Sequence, residues 1–244
     1  MHAVITAGGL VDGEFAETIG TRVKALAPFG ARTLLDVVLD ACEGAGIAGV
    51  AVIGDDEVRA YLAGREGVRT IDAALDGGTN VLSALAAWPG ERFVYLTSDM
   101  PFASAAGLLD LIARSADFAL TMALADVDAY QTRFPDAPEH SVALSGERVA
   151  NGNAFVIAPE AVAPARGFAT KLFAARKSLP RLALLLGPAL CWRFATKRLT
   201  IADLEAYGSR RLGVPVGALR GCDPGLCYDV DTLAEYTYAC THFA

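Results

Sequence analysis

The sequence predicts an α/β fold: a three-layer α/β/α sandwich around a twisted, mainly parallel but mixed sheet. Three observations carry this. Apolar runs of strand length alternate with helical patterns through the first 125 residues, in the order β-α-β-α-β. Those runs are apolar almost without a break, as strands covered on both faces are. And 244 residues of 53% hydrophobic composition suffice to bury a sizeable core.

The elements follow in order. Residues 2–6 read as a buried strand ended by Ala7-Gly8-Gly9. Residues 10–21, with Asp12, Glu14 and Glu17, read as a long acidic loop. Residues 33–45 read as a helix. Leu34, Val38, Ala41, Cys42 and Ala45 share one face, and Thr33 with Asp36 forms a capping box. Strands at 50–53, 68–71, 93–97 and 118–123 alternate with helices at 56–63, 79–88 and 103–115. Such a sheet binds ligands at the carboxyl ends of its strands, near a switch in strand order. After about residue 130 the rhythm changes. Residues 141–144 and 154–157 read as an antiparallel excursion, with breaks at 145–148 and at Asn151-Gly152-Asn153. Helices at 168–186 and 201–212, a strand at 216–219 and a closing helix at 232–240 complete the chain. With no repeat and no low-complexity linker, residues 1–244 read as one domain with an elaborated second half.

Composition excludes several classes. A net charge of -7 repels phosphate backbones, which argues against a nucleic-acid partner. The longest apolar stretch, residues 179–192, is broken by Pro180, Arg181 and Pro188, so no membrane span is expected. No basic run precedes the first apolar residues, as a secretory leader requires. The five cysteines form no C-x-x-C pair and the three histidines are scattered, so neither a disulfide framework nor a zinc site is read. Reduced thiols in a cytoplasmic setting are the expectation. Oligomeric state is not legible.

Four signals point to chemistry. Gly8 and Gly9 directly follow the first strand, where glycines let backbone N–H groups approach an anion, and Lys24 stands at the loop's far side as a point charge for phosphate. An ordinary turn is the alternative. Ser98-Asp99-Met100-Pro101 follows the strand at 93–97, and a lone carboxylate there suits Mg²⁺. The alternative is a turn aspartate accepting backbone N–H bonds. Tyr228-Asp229-Val230-Asp231-Thr232 offers a second carboxylate, although Thr232 and Glu235 also make a capping box. Asp76-Gly77-Gly78-Thr79-Asn80, with Ser83 a turn later, suits a base or ribose, or else a glycine turn capped by Thr79 or Asn80.

Ala7-Gly8-Gly9, Lys24-Ala25-Leu26-Ala27-Pro28-Phe29-Gly30, Gly77-Gly78 before Ser83, Ser98-Asp99-Met100-Pro101 and Asp229-Val230-Asp231-Thr232 together resemble the MobA-like nucleotidyltransferase family. Its members share the GT-A, nucleotide-diphospho-sugar transferase fold. The resemblance implies a nucleoside triphosphate over the first strand's glycine loop, with residues 1–125 as the nucleotide-binding half and 126–244 as the acceptor-side half. Ala7, Gly8, Gly9, Arg22 and Lys24 would meet the phosphates, and Gly78, Asn80 and Ser83 the base and ribose. Asp99 and Asp231, with Asp229 beside them, would hold Mg²⁺. Gly152, Asn153, Lys171, Arg176 and Lys177 are weaker candidates for the acceptor or its phosphate. The implied reaction is transfer of a nucleoside monophosphate to a small phosphorylated acceptor with release of pyrophosphate, Lys24 and Asp99 carrying the catalysis. This sequence departs from the family in two ways: Arg22 stands only two residues before Lys24, and the loop between Gly9 and Arg22 is long and acidic. Two other readings remain. Asp126-Val127-Asp128 would suit a glycosyltransferase using a nucleotide sugar, and the acidic loop would suit a non-catalytic nucleotide-binding module.

Overall fold

The computed structural model describes residues 1–138, 141–175 and 178–243. Its first strand, β1 (His2–Thr6), lies at the centre, and Ala3, Val4 and Ile5 are fully buried. The chain then forms α1 (Gly13–Ile19), a hairpin of β2 (Pro28–Phe29) and β3 (Arg32–Thr33), and α2 (Leu34–Gly44). The loop expected at 10–21 is therefore largely helical. Phe15 and Ile19, one turn apart, bury α1, and Gly20 ends it in the left-handed conformation at φ 74°. The capping box of α2 forms as expected, Thr33 accepting from the Asp36 amide and Asp36 from that of Thr33.

Next come β4 (Gly49–Gly54), α3 (Asp56–Tyr61), β5 (Val68–Asp72), α4 (Gly77–Ala84), β6 (Phe93–Thr97) and α5 (Ala105–Arg114). Asp55, Asp76 and Ser104 cap the three helices, so α4 starts at Asp76 rather than at Thr79 or Asn80. The second half holds β7 (Leu120–Asp126), α6 (Val127–Arg133), β8 (Ser141–Leu144), β9 (Glu147–Ile157), α7 (Pro159–Ala175), α8 (Leu179–Leu186), α9 (Pro188–Ala195), α10 (Ile201–Leu212), β10 (Val216–Leu219) and α11 (Leu233–Phe243).

One eight-stranded sheet runs β10-β7-β9-β6-β1-β4-β5, with β8 paired to β9. β5, β4, β1 and β6 are mutually parallel, β10 is parallel to β7, and β9 is antiparallel to both β6 and β7. The mixed sheet follows from this single reversed strand. From β1 the chain steps out to β4 and β5, then returns to place β6 on the other side of β1. The switch in strand order thus falls between β1 and β6, and a ligand crevice is expected at their carboxyl ends.

The excursion differs from expectation in one respect. Asn151-Gly152-Asn153 is not a break but part of β9, at a register shift opposite Ala123 between Met122 and Leu124. A Cβ at Gly152 would sit 2.5 Å from the Ala123 carbonyl oxygen, so the irregularity needs glycine there. The helix expected at 168–186 is two helices, the first starting nine residues earlier.

Both faces of the sheet are covered. Leu35, Val38, Leu108 and Leu111 of α2 and α5 close one, over Ile5, Val94 and Leu96. Ala84, Leu85 and Ala161 close the other, over Val4, Ala51, Ile53 and Phe93. Each fully buried Leu, Ile or Phe contributes about 1.5–3 kcal/mol. A third cluster fills the carboxyl edge: Phe15, Phe29, Tyr130, Phe134, Tyr228 and Tyr236 join α1, the β2–β3 hairpin and α11. Among the described residues no helix is long and apolar enough to cross a membrane.

Candidate active site

After β1 the chain leaves through α1 and returns antiparallel to its own exit. The Val11 amide donates to the Arg22 carbonyl, Leu10 bridges Val23, and the Lys24 amide donates to the Gly9 carbonyl at 3.0 Å. This plants Lys24 over the glycines despite fifteen residues of separation. The glycines are needed for space rather than for unusual torsions. A Cβ at Gly9 would lie 3.2 Å from the Lys24 stem, and one at Gly8 would lie 3.0 Å from the Asn80 amide nitrogen.

Asp99 follows β6, next to β1, and its loop is anchored by Phe102, whose ring stacks on Phe134 at 4.7 Å and meets Tyr228 edge-on at 4.9 Å. Tyr228 in turn holds the loop of Asp229 and Asp231 and donates its hydroxyl to the Glu235 carbonyl. The two acidic loops are tied directly, the Val230 amide donating to the Asp99 carbonyl at 3.0 Å. The Thr232–Glu235 capping box forms as expected and does more than cap α11. Buried Glu235 accepts from the amides of Asp231 and Thr232 through Oε2, at 2.7 and 2.6 Å, and so fixes the backbone of Asp231.

Asp99, Asp229 and Asp231 each turn one carboxylate oxygen to a common point, the three atoms lying within 4.8 Å of one another. Lys24 Nζ stands against them, 2.5 Å from Asp99 and 2.7 Å from Asp231. Burial alone would lower the Lys24 pKa, but the two carboxylates outweigh it and raise it to about 12. Burial pushes the Asp229 carboxyl up to about 6, and the like charges of Asp99 and Asp231 add to that. Asp99 does not behave as a turn aspartate. Ser104 caps the following helix, while Asp99 Oδ1 is buried with no hydrogen-bond partner. An orphaned buried carboxylate oxygen, three carboxylates and one ammonium leave a formal charge of -2, which fits a hard divalent cation bound by oxygen.

Beside this cluster lies a hollow of about 410 Å³ lined by Thr6, Gly8, Gly9, Lys24, Asn80 and Asp99, among others. Gly77, from the expected glycine pair, also lines it, as do Tyr95, Thr97 and Val81, none of which is expected from sequence. Their signal was position: Thr6 and Thr97 end adjacent parallel strands, and the Tyr95 hydroxyl meets the Thr6 hydroxyl at 3.1 Å.

The remaining candidates divide. Gly8, Gly9, Lys24, Asn80, Asp99, Asp229 and Asp231 come together. Asn80 uses its amide on both backbone groups of Ala74, clamping the loop ahead of α4. Ala7 is buried in the sheet's hydrogen bonding to Ile53, and Gly78 and Ser83 are in α4 but outside the hollow's lining. Arg22 is exposed and paired with Asp12 at 2.5 Å, so the acidic loop carries its own counter-charge. Gly152 and Asn153 belong to β9, and Lys171 lies on α7, outside the hollow's lining. Arg176 and Lys177 lie outside the described residues. Asp126 and Asp128 line a separate hollow with Glu147 and Arg148 and take no part in the acidic trio.

No curated protein sequence matches the chain. Among solved structures, a hypothetical transferase from Thermus thermophilus is similar at 25% identity and TM-score 0.81, over 95% of this chain and 98% of that one. Two others share the fold. 2-C-Methyl-D-erythritol 4-phosphate cytidylyltransferase, also from Thermus thermophilus, has 17% identity and TM-score 0.56, over 99% and 98%. CMP:2-keto-3-deoxy-manno-octonic acid synthetase complexed with CTP has 14% identity and TM-score 0.58, over 98% and 97%. The family profile of the MobA-like NTP transferase domain matches residues 3–196, about four-fifths of the sequence, so the chain belongs to that family of nucleotidyltransferases.

Proposed function

We propose that the protein transfers a nucleoside monophosphate from a nucleoside triphosphate to the phosphate of a small acceptor (a sugar, alcohol or cofactor phosphate), with Mg²⁺ as cofactor and pyrophosphate as the second product. The observation that carries this reading is the convergence of Asp99, Asp229, Asp231 and Lys24 beside the Gly8–Gly9 hollow. In this reading residues 1–244 act as one cytoplasmic catalytic unit.

An acceptor phosphate oxygen attacks the α-phosphorus, the bond from that phosphorus to the bridging oxygen breaks, and pyrophosphate leaves with the electron pair. A phosphate monoester has its second pKa near 6, so at neutral pH it is already a dianionic nucleophile and needs no general base. The difficulty is bringing anion to anion. Mg²⁺ held by Asp99, Asp231 and Asp229 would neutralise charge on the approaching phosphates. Lys24, kept protonated by its carboxylate neighbours, supplies a fixed positive charge for the leaving pyrophosphate. Gly8 and Gly9 add no side chain of their own, which leaves room for Lys24 and Asn80 to pack against the loop, and glycine backbone N–H groups are open to close approach by an anion.

The test is thermal denaturation with ATP, CTP, GTP and UTP, each with and without Mg²⁺, on the wild type and Asp99→Asn. A ligand at 100 times its dissociation constant adds about 2.7 kcal/mol, a shift of several degrees. A Mg²⁺-dependent shift with one nucleotide, lost in Asp99→Asn, supports the site and names the base. No shift with any of the four sinks the reading. Binding without pyrophosphate release across a broad panel of acceptor phosphates would instead favour the non-catalytic module.

A further inference from the structure

The charge of this chain is divided unevenly. Residues 159–212 hold ten Lys and Arg against three Asp and Glu, while the rest of the chain holds eleven against twenty-five. The basic segment is the helical run α7–α10, and within it lies a second hollow, about 570 Å³ in volume. Three helices each turn one cation into it: Lys171 from α7, Arg181 from α8 and Arg211 from α10. Among the described residues none of the three has an ion-pair partner, whereas Arg193 nearby pairs with Asp203 at 2.7 Å. Apolar side chains line the same hollow. Leu184 is 84% exposed, and Leu185 is held by its carbonyl, which accepts from the Tyr207 hydroxyl at 2.7 Å.

A solvated helix end explains one free cation, but not three from separate helices facing one apolar-floored hollow. Like charges gathered in one place repel, and among the described residues no acidic group balances them. A guanidinium favours planar, bidentate contact with phosphate or carboxylate oxygens, and two of the three cations are arginines. The adjoining leucines offer nothing to a bare anion but would cover a short hydrocarbon chain. We propose that this hollow is a binding site for an amphipathic phosphate: an anionic head held by Lys171, Arg181 and Arg211, and an apolar chain laid along Leu184 and Leu185. It shares no lining residue with the Gly8–Gly9 hollow, so it stands apart from the nucleotide site.

The probe is octyl phosphate, kept below its micelle concentration and titrated calorimetrically against the whole protein, with inorganic phosphate and octanol as half-ligands. Octyl phosphate is expected to bind at least about tenfold tighter than either half. Arg181→Ala and Arg211→Ala should each weaken it about five- to tenfold, and Arg181→Lys should weaken it less. Leu184→Ser should weaken octyl phosphate while leaving inorganic phosphate unchanged. All three positions are exposed, and a circular-dichroism melt of each variant checks the fold. The proposal falls if octyl phosphate binds no tighter than phosphate, or if the double variant Arg181→Ala, Arg211→Ala binds it like the wild type. Co-sedimentation with phosphatidylglycerol vesicles, against phosphatidylcholine vesicles, identifies the source of the phosphate. Arginine-dependent sedimentation assigns the site to a lipid headgroup, and retained octyl phosphate binding without sedimentation assigns it to a soluble ligand. None of these measurements needs nucleotide or turnover, so their failure leaves the nucleotidyl-transfer reading standing.

Discussion

The carboxyl edge of the sheet and the helical run α7–α10 are built on opposite terms. At the edge, polar groups are held by partners far away in sequence. Lys24 is held by Asp99 and Asp231, Asp99 by Val230, and Pro28 accepts from Tyr236 at 2.6 Å. Three aspartates of like charge can sit together there because the loops that carry them are cross-tied and backed by an aromatic cluster. In α7–α10 the cations in the hollow are unpaired among the described residues, and Leu184, Trp192 (69%) and Phe194 (62%) stand in solvent. The difference is one of what each region is prepared for. Charge chemistry needs groups fixed before the ligand arrives, which an interlocked scaffold provides. A surface with free charge and exposed apolar groups finds its partners in the ligand instead.

The comparison breaks first if the acidic edge proves tolerant of change, and the largest effect is expected at Asp99. Asp99→Asn should lower Mg²⁺-dependent pyrophosphate release by about 10²–10³-fold, in the range seen when a preorganised charge is removed. It should leave the melting temperature within a few degrees, since Lys24 keeps Asp231. Near-normal turnover would remove Asp99 from the chemistry. Glu235 comes next. Glu235→Ala strips the acceptor from two backbone amides, which should cost about 2–4 kcal/mol and about tenfold or more in turnover as Asp231 loosens. Glu235→Gln keeps an acceptor and should recover most of the stability. Equal losses in both variants would mean that the charge of Glu235 matters, rather than its hold on Asp231.

The same contrast explains what could be read in advance. Strands and caps were legible because each rests on a local rule: unbroken apolar runs for β1, β4 and β6, and the Thr33–Asp36 and Thr232–Glu235 boxes. Gly8, Gly9 and Asp99 were legible because they come just after β1 and β6, Asp229 and Asp231 because they lie just ahead of the Thr232–Glu235 box, and Lys24 because lysine is scarce in this chain. What sequence hid was tertiary. Helix α1 shows only Phe15 and Ile19 as apolar anchors between glycines, so it reads as a loop. β9 passes through Asn151-Gly152-Asn153, which reads as a turn until Ala123 is placed against it. Pro164 lies inside α7 and masks its start, because proline removes a helical hydrogen bond. The Val230–Asp99 tie and the floor of Thr6, Tyr95 and Thr97 depend on strand order, which no local pattern encodes.

A smaller effect sharpens the electrostatic side. Asp229 has its folded pKa raised from 3.8 to about 6 by burial and by Asp99 and Asp231. The folded state therefore holds a proton that the unfolded state releases, and stability falls as pH rises from about 4 to about 6. This is the reverse of an ordinary salt-bridged aspartate. The loss is on the order of 2–3 kcal/mol and is complete above about pH 6. Asp229→Asn cannot lose it, so without metal the wild type should melt progressively below the variant as pH is raised through that window. A constant gap between the two melting curves would show that Asp229 is not held among like charges. Added Mg²⁺ should narrow the gap most above about pH 6, where the carboxylate is free of its proton.

The finest test compares two glycines, one from each region. Gly152 lies in β9, where an added Cβ would meet the Ala123 carbonyl oxygen at 2.5 Å and the Ala123 Cβ at 2.8 Å. Backbone on one side and sheet on the other leave little room to shift, so Gly152→Ala should cost about 1–3 kcal/mol. Gly167 lies in α7, is exposed, and a Cβ there would meet nothing within 4 Å. At that position alanine only lowers the entropy of the unfolded chain and improves the helix, so Gly167→Ala should add about 0.5–1 kcal/mol. Opposite signs from one chemical change, read as denaturant midpoints at constant slope, are what an interlocked edge and an unpartnered helix require. If Gly167→Ala destabilised the protein instead, that face of α7 would be covered in solution, and the free cations and apolar groups of α7–α10 would belong to an interface rather than to a ligand site.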